Sequence, residues 1–177
     1  TAVGYQALKT QDAGDAGNVA VGYQAGLDIT TGFSNTLVGA SAGANITDGD
    51  YNTFMGSNVG ISVTTGVENT LIGASAGDAL TDADYNIAIG MSSLTSDTLG
   101  SKSVAIGYQS LAFQNFTTAT DSLNTAVGHL SGNKITTGVQ NTLIGGLAGD
   151  ALTDSDYNVA VGYGALSTDT LGQYSVA

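Results

Sequence analysis

Residues 18–22 are Asn-Val-Ala-Val-Gly, and residues 69–73 are Asn-Thr-Leu-Ile-Gly. Each stretch has a polar residue, three residues that are mostly β-branched or apolar, and a closing glycine. Such a run is too short for a helix and has the composition of a β-strand. Because the pattern recurs along the whole chain, it predicts a fold of repeated short strands.

The closing glycines measure the repeat. Neighbouring members of the set are 18, 17, 17, 17, 17, 17, 21, 17 and 17 residues apart. A near-constant step indicates a solenoid, in which one coil buries little and the stack forms the core. We therefore expect an all-β protein, a parallel β-solenoid (β-roll) of about ten 17-residue coils. The glycines, each at a turn that needs positive φ or close backbone approach, are Gly4, Gly22, Gly39, Gly56, Gly73, Gly90, Gly107, Gly128, Gly145 and Gly162.

A slower rhythm is superimposed on the coils. Coils with Thr-Thr-Gly alternate with coils with Asp-x-Asp-Tyr-Asn, and residues 63–100 match residues 135–172 at a shift of 72. We expect one repeat domain over 1–177, as a segment of a longer fibrous protein. Small residues after the glycine, as in 23–26, favour a second short strand in each coil.

A polar residue precedes each strand. Stacked coils, roughly 4.8 Å apart, would align these residues into an amide ladder in which each side chain bonds the next. The asparagines are Asn18, Asn35, Asn52, Asn69, Asn86, Asn124, Asn141 and Asn158.

The apolar residues at the centre of the strands are the second feature of this pattern. We expect Leu37, Phe54, Leu71 and Leu143 to point outward, where they would need cover from other chains. The alternative is a thicker single-chain helix that buries them internally.

Composition excludes several classes of function. The chain has three Lys, no Arg and fifteen acidic residues, for a net charge of −12. A nucleic-acid surface needs clustered basic residues, so no nucleic-acid partner is expected. The sequence has no apolar run long enough for a transmembrane helix, so we expect no membrane insertion in this segment. Cysteine is absent, which leaves the redox compartment open.

The Asp-x-Asp-x-Asn stretches resemble the first ligands of a calcium loop. Calcium prefers six to eight oxygen ligands, and the distant bidentate Glu of an EF-hand is missing. We favour polar turns and expect no cofactor, with calcium as the open alternative. The candidate ligands are Asp48, Asp50, Asp82, Asp84, Asp154 and Asp156.

Two further features concern chemistry and binding. The single histidine, His129, has no nucleophile or carboxylate partner evident from spacing, so we expect no enzymatic activity. The 21-residue coil from Tyr108 to Gly128 carries Phe113 and Phe116. Inserts in solenoids map to loops that often bind, so this coil is a possible receptor-contact loop. In the alternative, both rings cap a gap in the stack.

The repeats resemble two known groups. Ser-Val-Ala-Ile-Gly at 103–107 and Asn-Thr-Ala-Val-Gly at 124–128 are similar to the head repeats of YadA-like trimeric autotransporter adhesins. Asn-Val-Ala-Val-Gly-Tyr-Gln-Ala at 18–25 resembles bacteriophage tail-fibre repeats of the NTAVGYQA type. The adhesin head repeat is usually shorter than 17 residues. The resemblance implies a left-handed roll, a homotrimer and a role in attachment.

Together these observations predict a structural and adhesive segment of an extracellular attachment protein. We place a bacteriophage tail fibre (a virion appendage) first, and the head of a bacterial trimeric adhesin on a cell surface second. The expected partners are two further copies of the chain and a host receptor, a glycan or an outer-membrane protein. A tailspike-like glycan depolymerase is the alternative from another class.

Overall fold

A computed structural model of the chain describes residues 1–12, 14 and 16–177. Throughout these residues the regular structure is β, with no helix. The strands are β1 (Ala2–Val3), β2 (Val19–Val21), β3 (Thr36–Val38), β4 (Thr53–Met55), β5 (Thr70–Ile72), β6 (Ile87–Ile89), β7 (Gly100–Ser101), β8 (Val104–Ile106), β9 (Thr120–Asp121), β10 (Thr125–Val127), β11 (Thr142–Ile144) and β12 (Val159–Val161).

The strands stack in chain order. One ten-stranded sheet runs β1-β2-β3-β4-β5-β6-β8-β10-β11-β12, and β7 pairs with β9 in a small second sheet. All pairs are parallel, and most join residues 17 positions apart, as Thr53 and Thr70 are joined. Two neighbouring parallel strands need a connection that brings the chain back to the same end of the sheet, and the rest of each coil forms this connection. The prediction of an all-β parallel β-solenoid is confirmed, with nine steps between the ten strands.

The second strand that we predicted in each coil is wrong. The closing glycine of each strand forms a corner of the coil, and we call it the corner glycine. The segment after it is a series of turns, in which Gln24 and Gly26 have φ of 54° and 57°. Hydrogen bonds to other coils hold it, with Gln24 N donating to Tyr5 O at 2.9 Å and Gly26 N to Ala42 O at 3.0 Å. The small residues here have two causes: Gly26 adopts a left-handed backbone conformation, and Ala25 is fully buried.

The predicted outward orientation of Leu37, Phe54, Leu71 and Leu143 is also wrong. All four side chains are fully buried inside the coil. Asn69, which directly precedes β5, and Leu71, at the centre of β5, are two residues apart in extended backbone, so both side chains point to the same side and both are buried. These four residues therefore provide no argument for neighbouring chains, since a single chain already encloses them.

We call the part of each coil between the corner glycine and the next strand the return segment. The core lies between the ten-stranded sheet and the return segments. A Cβ placed on Gly26 would lie 2.8 Å from Leu37 Cδ1 and 3.0 Å from Ile29 Cδ1, so the two elements meet there. The return segment contributes one side chain seven residues after each corner glycine. In most coils this side chain is apolar and fully buried, as it is at Ile29, Ile46, Val63, Leu80, Ile135 and Leu152.

The corner glycines allow the coils to approach each other closely. Gly73 has φ of 129°, and a Cβ there would lie 2.6 Å from the carbonyl oxygen of Gly90 in the next coil. Both the backbone conformation and the space therefore require glycine.

We predict that Gly73→Ala lowers the melting temperature strongly. Backbone strain of order 1–3 kcal/mol adds to a contact with backbone that cannot move aside. Gly146→Ala is the matched control, because a Cβ on Gly146 would meet only the Tyr163 ring, at 3.4 Å. Thermal unfolding followed by circular dichroism measures both. Equal melting temperatures for the two variants would contradict this role of the corner column.

Candidate functional site

The asparagine column lies in the interior, and it joins coils through the backbone. Asn69 Oδ1 accepts from Asn86 N of the next coil at 2.9 Å, and Asn69 Nδ2 donates to Ala83 O at 2.7 Å. The side-chain contact to Asn52 Oδ1, at 3.2 Å, is the longer one. The amide thus satisfies two main-chain groups that would otherwise be buried without partners, and the side-chain ladder that we expected is secondary.

The acidic turns are held by the coil that precedes them. Thr31 Oγ1 donates to Asp48 Oδ1 at 2.6 Å, and Phe33 N donates to Asp50 Oδ1 at 2.9 Å. The same pair of bonds recurs at the other two acidic coils, from Thr65 and Val67 to Asp82 and Asp84, and from Thr137 and Val139 to Asp154 and Asp156. A Thr-Thr-Gly coil and the acidic coil after it therefore form a Thr–Asp pair.

These contacts bear on the calcium hypothesis. Asp48 is exposed, Asp50 is half-buried and Asn52 is fully buried, so the three side chains of the stretch have different environments. Nowhere in residues 1–12, 14 and 16–177 do three His, Cys, Asp or Glu side chains gather as metal ligands would. The geometry favours polar turns, with threonine hydroxyls and main-chain amides as the partners of the carboxylates.

The irregular coil contains a buried polar network. Asp97 and Gln114 lie seven residues after their corner glycines, where six other coils carry Ile, Val or Leu, and both are fully buried. Gln114 Nε2 donates to Asp97 Oδ2 at 2.6 Å, and Gln114 Oε1 accepts from Asn124 Nδ2 at 2.8 Å. Ser103 replaces asparagine in the ladder here, and its hydroxyl accepts from Gln114 Nε2 at 2.8 Å. We call Asp97 and Gln114 the polar joint.

The two phenylalanines of this coil have different environments. Phe116 is 6% exposed, and its ring lies over Gly100, where an added Cβ would meet Phe116 Cδ2 at 2.8 Å. Phe113 is 57% exposed. The first ring fills the stack, as the capping alternative expects, and the second is available for contact.

The outer side of the ten-stranded sheet is a long uncharged surface. At the first and third positions of the three-residue strands β2–β6, β8 and β10–β12 the side chains are Thr, Val, Ile or Met, partly or fully exposed. We call these positions the outer face. Tyrosines border it on both sides, at the residue before the asparagine (Tyr51, Tyr85, Tyr157) and at the residue after the corner glycine (Tyr23, Tyr108, Tyr163).

The surroundings of His129 are simple. His129 is exposed and stacks on the Tyr108 ring, with centroids 5.3 Å apart and planes 15° from parallel. It lies at the edge of the outer face. The described part of the chain contains no enclosed pocket.

The comparisons with known proteins give no relatives. The chain matches no protein-family model, no curated protein and no solved structure. In the described residues no helix is long and apolar enough to cross a membrane.

We predict that Asn69→Leu destabilises the rod, because it leaves Asn86 N and Ala83 O buried without partners. Each unsatisfied group costs roughly 1–3 kcal/mol. Asn69→Ser should be milder, since Ser103 already occupies this column. Asn45→Leu, at an exposed position, is the control, and thermal melting is the measurement. A wild-type melting temperature for Asn69→Leu would show that the amide bonds contribute nothing.

A second prediction concerns the acidic turns. Hydrogen bonds from Thr31 and then Thr30 hold the pKa of Asp48 below its usual value, and bonds from Thr136 and Thr137 do the same for the pKa of Asp154. Because the folded pKa is depressed, this stabilisation is present above the unfolded pKa and is lost as pH falls through the folded pKa.

We therefore expect Thr31→Val to raise the pKa of Asp48 towards the usual value and to leave the pKa of Asp154 low. Carboxyl-carbon NMR between about pH 6 and pH 2, a range that spans the usual aspartate pKa, measures both groups in one sample. An unchanged pKa of Asp48 would refute the assignment to the Thr31 hydroxyl.

Proposed function

We propose that the chain is the ordered rod of an extracellular attachment fibre, in which three left-handed rolls pack side by side. The observation that carries this proposal is the outer face. On a chain with a net charge of −12, the outward positions of nine neighbouring strands of the ten-stranded sheet carry no charged side chain. Surfaces of this size that lack charge are typical of interfaces.

Charge supports the placement of the copies. In the described residues, the acidic side chains lie in the segments that connect or follow the strands of the ten-stranded sheet, with Glu68 at the edge of the outer face, and the outer face itself carries none. Copies that approach by their outer faces bury Val, Ile and Met and keep the carboxylates in water, which favours both association and solubility. The tyrosines at the edges of the face suit the rim of such an interface, since each has an apolar ring and a polar tip.

The resemblance of the repeats adds the biological setting. A bacteriophage tail fibre that recognises its host is our first assignment, and the head of a bacterial trimeric adhesin is the second. In both, the rod extends and presents a surface to a receptor, and it carries out no reaction.

Sedimentation equilibrium tests the assembly. We expect a mass three times the chain mass of 17.5 kDa for the native protein. Ile72→Glu with Ile89→Glu places two charges on the outer face and should dissociate the trimer, while Ser62→Glu, on the return segment, should not. A native protein that stays monomeric at micromolar concentration and retains its β-sheet circular dichroism would overturn the trimer.

Attachment is tested with bacterial cells and their isolated surface polysaccharide. We expect the labelled rod to adsorb to the cells of its host and to leave the polysaccharide intact. Adsorption to no cells would remove the attachment role, and release of oligosaccharide would assign the rod to the depolymerases instead.

A further inference from the structure

The irregular coil carries a built loop at one position of the rod. Leu99 N donates to Phe116 O at 3.0 Å, and Thr120 N donates to Leu99 O at 3.3 Å. Phe116 and Thr120 thus both pair with Leu99 of the preceding coil, so the chain leaves the stack after Phe116 and returns at Thr120. Residues 117–119 are thus an insertion, and all three are exposed.

The polar joint anchors this loop from within. Besides Gln114 Nε2, the Asp97 carboxylate accepts Phe116 N at 3.0 Å and Gly100 N at 3.1 Å. Asp97, which orients Gln114, therefore also fixes the main chain at Phe116, the last residue before the loop. A buried carboxylate is tolerated only when its oxygens are bonded, and here the donors come from both coils. The loop is therefore preorganised, which lowers the entropy lost when a ligand binds.

The side chains presented beside the loop differ from those of other coils. Phe113 stands six residues after its corner glycine, at a position that carries Asp28, Asn45, Ser62, Ala79 and Ser96 in earlier coils. Lys134 occupies the same position in the next coil and is exposed, and Phe113 N donates to Asn133 O at 3.1 Å. The residue at the equivalent position one coil above the exposed ring is thus a lysine.

The exposed residues that follow Phe113 in this coil, up to Thr118, carry no charge. Asn115, Thr117 and Thr118 are exposed and offer one amide and two hydroxyls. Lys102, the basic residue of the coil before, is already ion-paired with Asp121. We call Phe113, Asn115, Thr117, Thr118 and Lys134 the loop surface.

We propose that the loop surface is a contact site for a neutral polysaccharide, an inference that rests on the attachment role proposed above. An aromatic ring packs on the apolar C–H face of a sugar, and amide, hydroxyl and ammonium groups bond sugar hydroxyls. The net charge of −12 repels polyanions. Because the described residues form no pocket, the surface suits a polymer lying across it and not an enclosed small molecule.

The test uses the native rod and three neutral polymers, dextran, mannan and galactan, in affinity electrophoresis. We expect retardation by at least one of them, independent of salt. Phe113→Ser should weaken that retention about tenfold or more, as loss of an aromatic anchor does, with an unchanged melting temperature. Phe33→Ser makes the same chemical change at another exposed ring and should retain full binding.

Three results would overturn the proposal. They are no retention by any of the three polymers, equal retention for Phe113→Ser and wild type, and salt-sensitive retention on the polyanion polygalacturonate alone. Cell adsorption is measured on the same samples. If Phe113→Ser adsorbs like wild type, the loop surface is wrong and the fibre role stands; if the wild-type rod adsorbs to no cells, the fibre role itself fails.

Discussion

Hydrogen bonding between successive coils is the constraint on which this structure depends. A coil of 17 residues has little interior of its own, so its main-chain groups find partners in the coils before and after it. The asparagine column extends this rule into the core, since each amide bonds main-chain groups that β-pairing leaves unpaired. The corner glycines follow from the same constraint, because any side chain there would hold two coils apart.

The sequence made the stacking predictable, and it left the cross-section open. The step of 17 residues requires equivalent residues to lie one above another, whatever the path within a coil. The direction of each side chain depends on a choice between two strand faces. From the sequence, the β-branched residues on either side of Leu71 were expected to face the interior, with Leu71 facing outward. The structure has the reverse orientation, in which Leu71 is buried on the same side as Asn69, two residues earlier. The turn at Gln24 was missed because non-glycine residues with positive φ have no strong sequence signal.

The candidate site was predictable only in part. The break in the 17-residue period identified the irregular coil. The sequence alone did not distinguish its two phenylalanines, of which Phe113 is exposed and Phe116 is buried. The polar joint was overlooked, although its signal was present. Asp97 and Gln114 interrupt a column that is Ile, Val or Leu in six other coils, and only the first and last coils also carry a polar residue there, Gln11 and Asp169. A polar residue at an apolar position in two successive coils implies a buried pair, because one alone would be left unsatisfied.

The Thr–Asp pairs also determine how a rod of this kind can change its length. Before the polar joint the chain has two such pairs in succession, and after it one. Each pair begins with a Thr-Thr-Gly coil and ends with an acidic coil, and its Thr–Asp bonds lie within the pair. A further pair can therefore be inserted between existing pairs without breaking any of these bonds. Each duplication in the gene would lengthen the solenoid by two coils, roughly 10 Å, and extend the outer face in step. The length of the solenoid can thus evolve without a change in the polar joint and the loop beside it.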